Sequence, residues 1–118
     1  MKTRKMILIG LSIFTIFVSG VAGADEDLGV AATNLAEASV KFRRFIDDDR
    51  HDTISRSVSH LIGWAHGLAR TESSRDCDGV ERAYSRVETL VSEESDKRMK
   101  KDFVPVQNAY AEVEELCF

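Results

Sequence analysis

The sequence predicts an all-α protein: an antiparallel up-down-up-down four-helix bundle with one disulfide, after an N-terminal signal peptide. Three observations predict it. Apolar residues recur at steps of three and four in four successive runs between residues 28 and 117, which is the helical signature. Strand-type alternation is missing, and a single proline interrupts 118 residues. The two cysteines, Cys77 and Cys117, stand at the start of the third run and the end of the fourth.

The N-terminus carries Lys2, Arg4 and Lys5, then an apolar stretch from Met6 to Val18, then Ala22-Gly23-Ala24. A positive segment, a short apolar segment and small residues, in that order, form a secretory signal peptide. The apolar stretch is shorter than the roughly 18–20 residues a spanning helix needs. Cleavage after Ala24 is therefore expected, leaving residues 25–118 as one helical domain. The segment takes three basic residues with it and no acidic one. The remainder holds 13 Lys+Arg against 20 Asp+Glu, a net charge of −7. That balance argues against nucleic acid as a partner, which needs a basic face. It also disfavours an anionic lipid surface, and no stable membrane insertion is expected after cleavage. Export, to a bacterial periplasm or the extracellular space, places both cysteines in an oxidising compartment, where a Cys77–Cys117 disulfide is the simplest outcome.

The first run is Leu28, Ala31, Leu35, Ala38, Phe42 and Phe45, ending at Asp47-Asp48-Asp49. Asp25, Glu26 and Asp27 suit a helix N-terminus. The second follows Asp52-Thr53, either of which can cap a helix start. It runs Ile54, Val58, Leu61, Ala65 and Leu68, widened by Ile62 and Ala69. A polar stretch, Thr71 to Asp76, separates it from the third: Cys77, Val80, Tyr84, Val87 and Val91, with Ala83 and Leu90. The fourth is Met99, Phe103, Val106, Tyr110, Val113 and Cys117.

The third and fourth runs are not obviously separate. Glu93/Lys97, Glu94/Arg98 and Asp96/Lys100 are spaced i, i+4 with the acid first, which favours an unbroken helix by a few tenths of a kcal/mol per pair. The cysteines decide against it. A helix from Cys77 to Asp102 would extend roughly 38 Å, and the remaining residues could return only about 22 Å. The sulfurs meet only if the chain reverses around Ser92 to Lys97, with Ser95 as a candidate cap. Pro105 then lies in the first turn if the last helix starts at Asp102, where it costs little, or kinks the helix if it starts nearer Asp96. Short polar connections make successive helices antiparallel, and that arrangement brings Cys77 and Cys117 to the same end.

No catalytic or metal-binding constellation stands out. His60 and His66 are six residues apart, about 240° around one helix, and cannot share an ion. His51 sits in an acidic turn that looks like a calcium loop, but the required Gly is Asp52 and the required Glu is Val58. Glu112, Glu114 and Glu115 crowd the end of the last helix, an unfavourable place for negative charge, and read as an acidic face. Gly63 and Gly67 are spaced G-x-x-x-G away from the main apolar stripe, with Trp64 at its edge. Each mid-helix glycine costs about 1 kcal/mol relative to alanine. His60, Gly63, Trp64 and Gly67 therefore mark a candidate contact surface.

These observations lead to an expected function: a small exported, non-enzymatic interaction protein of the cell envelope, of inhibitor, immunity, regulatory or chaperone type, with no cofactor and another envelope or secreted protein as its partner. The alternative is a haem- or metal-binding carrier. The plan of an exported four-helix bundle of this length resembles the cytochrome b562 type, in plan only. It would require an inward ligand, for which His60 and Met99 are the candidates. No C-x-x-C-H sequence offers covalent haem attachment.

Overall fold

The computed structural model describes residues 24–46 and 49–118. The expected signal segment lies outside them except for Ala24, and so do Asp47 and Asp48. Among the described residues the chain forms four helices and no strand: α1 (Ala24–Arg44), α2 (Asp52–Thr71), α3 (Ser74–Ser92) and α4 (Lys97–Cys117). They pack in cyclic order, each against its sequence neighbours and α1 against α4, as an up-down-up-down bundle requires. The disulfide joins Cys77 to Cys117, with the two Cα atoms 5.9 Å apart. None of these helices is long and apolar enough to cross a membrane.

The connections follow local chemistry, with three departures from expectation. Helix α1 ends at Arg44, one residue before the apolar stripe does. The amides of Phe45 and Ile46 donate to Phe42 and Arg43 carbonyls, a tightened last turn. That rotation turns Phe45 outward, 71% exposed, and buries Ile46 in its place. Neither Asp52 nor Thr53 caps α2. His51 occupies the cap position without a side-chain bond, and its Nδ1 lies 3.7 Å from Glu94 Oε1 across the same end of the bundle. Ser95 does not cap α4. Asp96 does, accepting from the amides of Arg98 and Met99.

The reversal between α3 and α4 occupies residues 93–96, inside the segment expected. None of the three i, i+4 pairs there forms an ion pair among the described residues, and Glu94 turns to His51 instead. The α2–α3 connection is tighter. Glu72 adopts a left-handed conformation at φ 52°, its amide bonding the Leu68 carbonyl, and Ser73 caps α3 by accepting from the Asp76 amide. Pro105 lies well inside α4, so the last helix starts early. Its missing N–H leaves the Lys101 carbonyl without its helical donor, but both residues are exposed and water can serve there.

Each helix contributes its predicted stripe to one core, with the Val58, Leu61, Leu68, Val80 and Val87 side chains fully buried. Ala32, Ala36 and Ser39 widen the stripe of α1. Two guanidiniums tie the helices laterally: Arg43 Nε donates to Ser59 Oγ at 2.7 Å and Arg86 Nε to the buried Ser57 Oγ at 3.2 Å. The Ser39 hydroxyl is buried without a partner among the described residues. Between α2 and α3 the face of Trp64 covers Gly79. A Cβ at Gly79 would stand 2.5 Å from Trp64 Cδ2 and nearer still to Cε3 and Cζ3, so only glycine fits. Between α3 and α4 the reverse holds. Large aromatic rings fill the interface, and these two helices stand further apart than any other adjacent pair although a disulfide joins their ends.

Candidate functional site

The residues singled out on α2 lie along one flank of that helix. His60 and Gly63 are exposed; Trp64 and Gly67 are half-buried. Trp64 leans onto Gly79 of α3. A Cβ at Gly63 would meet nothing within 4 Å, and at Gly67 only Asp76 Oδ2 at 3.8 Å, an ordinary contact. Among the described residues, therefore, nothing requires glycine at either position. His66 also points outward, beside a shallow hollow formed with Ala36, Val40 and Arg44 of α1. Because His60 is exposed, it does not enter the interior, where Val58, Leu61, Ala65 and Leu68 of the same helix are packed; Met99 is buried.

A second surface emerges from the separation of α3 and α4. The sequences of the two helices share a pattern: Glu81, Tyr84 and Glu88 in α3, Gln107, Tyr110 and Glu114 in α4, each a polar residue, then tyrosine three positions on, then glutamate four further. That spacing places each trio on one face of its helix. The helices run antiparallel, so the trios face each other in opposite order. Glu81 and Glu114 fall at one end, Glu88 and Gln107 at the other, and the tyrosines meet in the middle. Their rings stack at 3.9 Å between centroids and 5° between planes. Tyr84 also stacks on Phe103, which contacts Phe42, so a column of four rings runs from the core outward.

Above the tyrosines lies a groove of about 350 Å³ lined by both trios with Ser85 and Ala111. It continues past Glu88 and Gln107 into a second hollow of about 410 Å³ that ends near Ser92 and Lys100. The floor is buried, with Tyr84 5% and Tyr110 7% exposed, while the glutamates, Ser85, Gln107 and Ala111 are exposed. Tyr84 donates a long hydrogen bond, 3.4 Å, to Glu88 Oε2. The Tyr110 hydroxyl opens on the groove with no hydrogen-bond partner among the described residues. Burial raises the pKa of both phenols above the ordinary value; the Glu88 carboxylate adds to this at Tyr84, and Glu114 and then Glu81 at Tyr110. Both therefore stay neutral and can donate or accept a hydrogen bond. Neither Glu81 nor Glu114 makes an ion pair among the described residues.

This groove was missed in the sequence because its glutamates follow ordinary surface spacing and its tyrosines sit on apolar stripes. The matching trios are the signal that could have found it. Among the described residues no group of three or more His, Cys, Asp or Glu side chains is placed to hold a metal ion. No family model matches the chain, and neither a curated protein nor a solved structure matches it.

Proposed function

We propose that this is a small exported interaction protein of the cell envelope, which binds another envelope or secreted polypeptide through the face of α2 marked by His60, Gly63, Trp64 and Gly67. One observation carries the reading. Two glycines interrupt α2 at a cost of about 1 kcal/mol each, yet nothing among the described residues needs their small size. A partner that approaches the helix backbone there supplies the reason, because a side chain at either position would hold it off. The exposure of His60 and Gly63 leaves the approach open. The disulfide supports export, since such bonds persist in oxidising compartments.

The test is native mass spectrometry of the protein released gently from the envelope of the cell that makes it. The expected result is a complex of residues 25–118, less two hydrogens, with a second polypeptide. Gly63→Arg and Gly67→Arg should fold with thermal midpoints close to wild type and lose that complex. A bare monomer, or a complex that both variants retain, refutes the reading. A monomer carrying a few hundred daltons of bound mass would instead favour the carrier.

A further inference from the structure

We infer that the groove between α3 and α4 is a docking site for a basic segment of a partner polypeptide, which places arginine or lysine side chains against Glu81, Glu114 and Glu88. The inference rests on the proposed interaction function and assigns that function a second surface and a partner chemistry. Three features of the groove point the same way. Glu81 and Glu114 line the groove from facing helices, and neither makes an ion pair among the described residues, so an incoming positive charge gains attraction to both. Glu88 lies two helical turns along α3 from Glu81, about 10 Å at 1.5 Å per residue, a spacing that alternate residues of an extended peptide can match with flexible side chains. Between the two ends the Tyr110 hydroxyl, on a side chain 7% exposed, lacks a partner and can accept from a guanidinium or ammonium group.

The groove also indicates how the ligand is held. One face of each tyrosine covers the other ring and Phe103 covers Tyr84 further, so the floor offers mainly hydroxyl ends and recognition is by hydrogen bonding and charge rather than by a cation lying on a ring. The walls are exposed along their length. A free small molecule generally needs a site that encloses most of its surface; an open channel suits side chains anchored by the rest of a polypeptide. Lys100 at the far end limits the acidic stretch. Arginine is the better probe because its planar fork can bond a carboxylate twice.

The experiment follows backbone and Gln107 side-chain amide shifts of the purified, oxidised protein by NMR during titration with a capped pentapeptide bearing arginine at alternate positions. Parallel titrations use the same peptide with glutamate in place of arginine, and spermidine. The arginine peptide should shift resonances of α3 and α4 around Tyr84 and Tyr110, and the glutamate peptide should not. Glu81→Gln/Glu114→Gln should weaken binding at least tenfold, and Tyr110→Phe several-fold, with thermal midpoints unchanged because the glutamates are exposed and the ring is kept. Equal affinity of these variants for the peptide, shifts spread over the whole acidic surface, or no binding would overturn the inference. Spermidine binding as tight as the peptide would overturn the polypeptide occupant in favour of a small cation. The result is separable from the test of the α2 face: peptide binding is read on the isolated protein, so it can fail while an envelope complex exists, or hold while none is found.

Discussion

Replacing Gly79 by alanine tests the account of how α2 and α3 pack. The added methyl carbon would stand 2.5 Å from Trp64 Cδ2 and closer to two further ring carbons, where carbon atoms prefer about 3.5–4.0 Å. The obstacle is the body of an indole, not the end of a flexible chain, so the ring must retreat by an ångström or more or the helices must part. Overpacking of this kind costs about 1–3 kcal/mol. Alanine returns about 1 kcal/mol through its helix propensity, leaving a net loss of up to about 2 kcal/mol. Gly63→Ala is the control: the same chemical change on a helix, with nothing within 4 Å of the new atom, should gain up to about 1 kcal/mol. In a domain of this size 1 kcal/mol moves the melting temperature by about 4–8 °C, so the two variants should melt clearly apart on either side of wild type. Far-ultraviolet circular dichroism gives the midpoints. Trp64 is the only tryptophan, so a red-shifted emission in Gly79→Ala would report its displacement directly. If Gly79→Ala melts as high as Gly63→Ala with unchanged emission, the Trp64–Gly79 contact does not constrain the fold and the reasoning fails.

Two further outcomes are expected. The disulfide spans 40 residues of sequence separation, and closing a loop of that length stabilises by about 4 kcal/mol in the chain-entropy model; Cys77→Ser/Cys117→Ser should lose about that much in denaturant unfolding, and a loss below about 1 kcal/mol would mean that packing alone holds the ends of α3 and α4. Both tyrosines hold their protons more tightly folded than unfolded, so their contribution to stability is intact below the unfolded phenol value of about 10 and is lost as pH rises beyond it. Tyrosinate absorbance should therefore appear together with loss of helical signal, and ionisation near 10 with helices intact would contradict the buried stack.

Much of the fold was legible from residue spacing. The stripe from Ile54 to Leu68 and that from Met99 to Val113 reappear as buried faces because a helical period of 3.6 residues turns a sequence step directly into a direction in space. The failures lie at helix ends. Phe45 was expected inside and Ile46 was not, because one tightened turn rotates the last residues away from the helical period. The caps at Asp52 or Thr53 and at Ser95 went elsewhere for a similar reason: several residues in each turn could serve, and the position of the helix in the bundle chooses among them. The groove left only one trace in the sequence, the matching trios on α3 and α4. Glu81 and Glu114 are 33 positions apart in sequence, and nothing in either helix alone shows that they face each other.

The sequence by itself determined the helical class, the four buried stripes, the point at which the chain must reverse between α3 and α4, and the disulfide pairing. Those depend on local periodicity and on chain length, both of which are written in order along the polypeptide. Only the tertiary structure decided that Gly79, and not Gly63 or Gly67, makes room for another helix, and that a stacked tyrosine pair holds α3 and α4 apart to leave an acidic groove. Such features depend on the relative rotation and register of two helices, which packing of the whole core fixes and no single helix encodes.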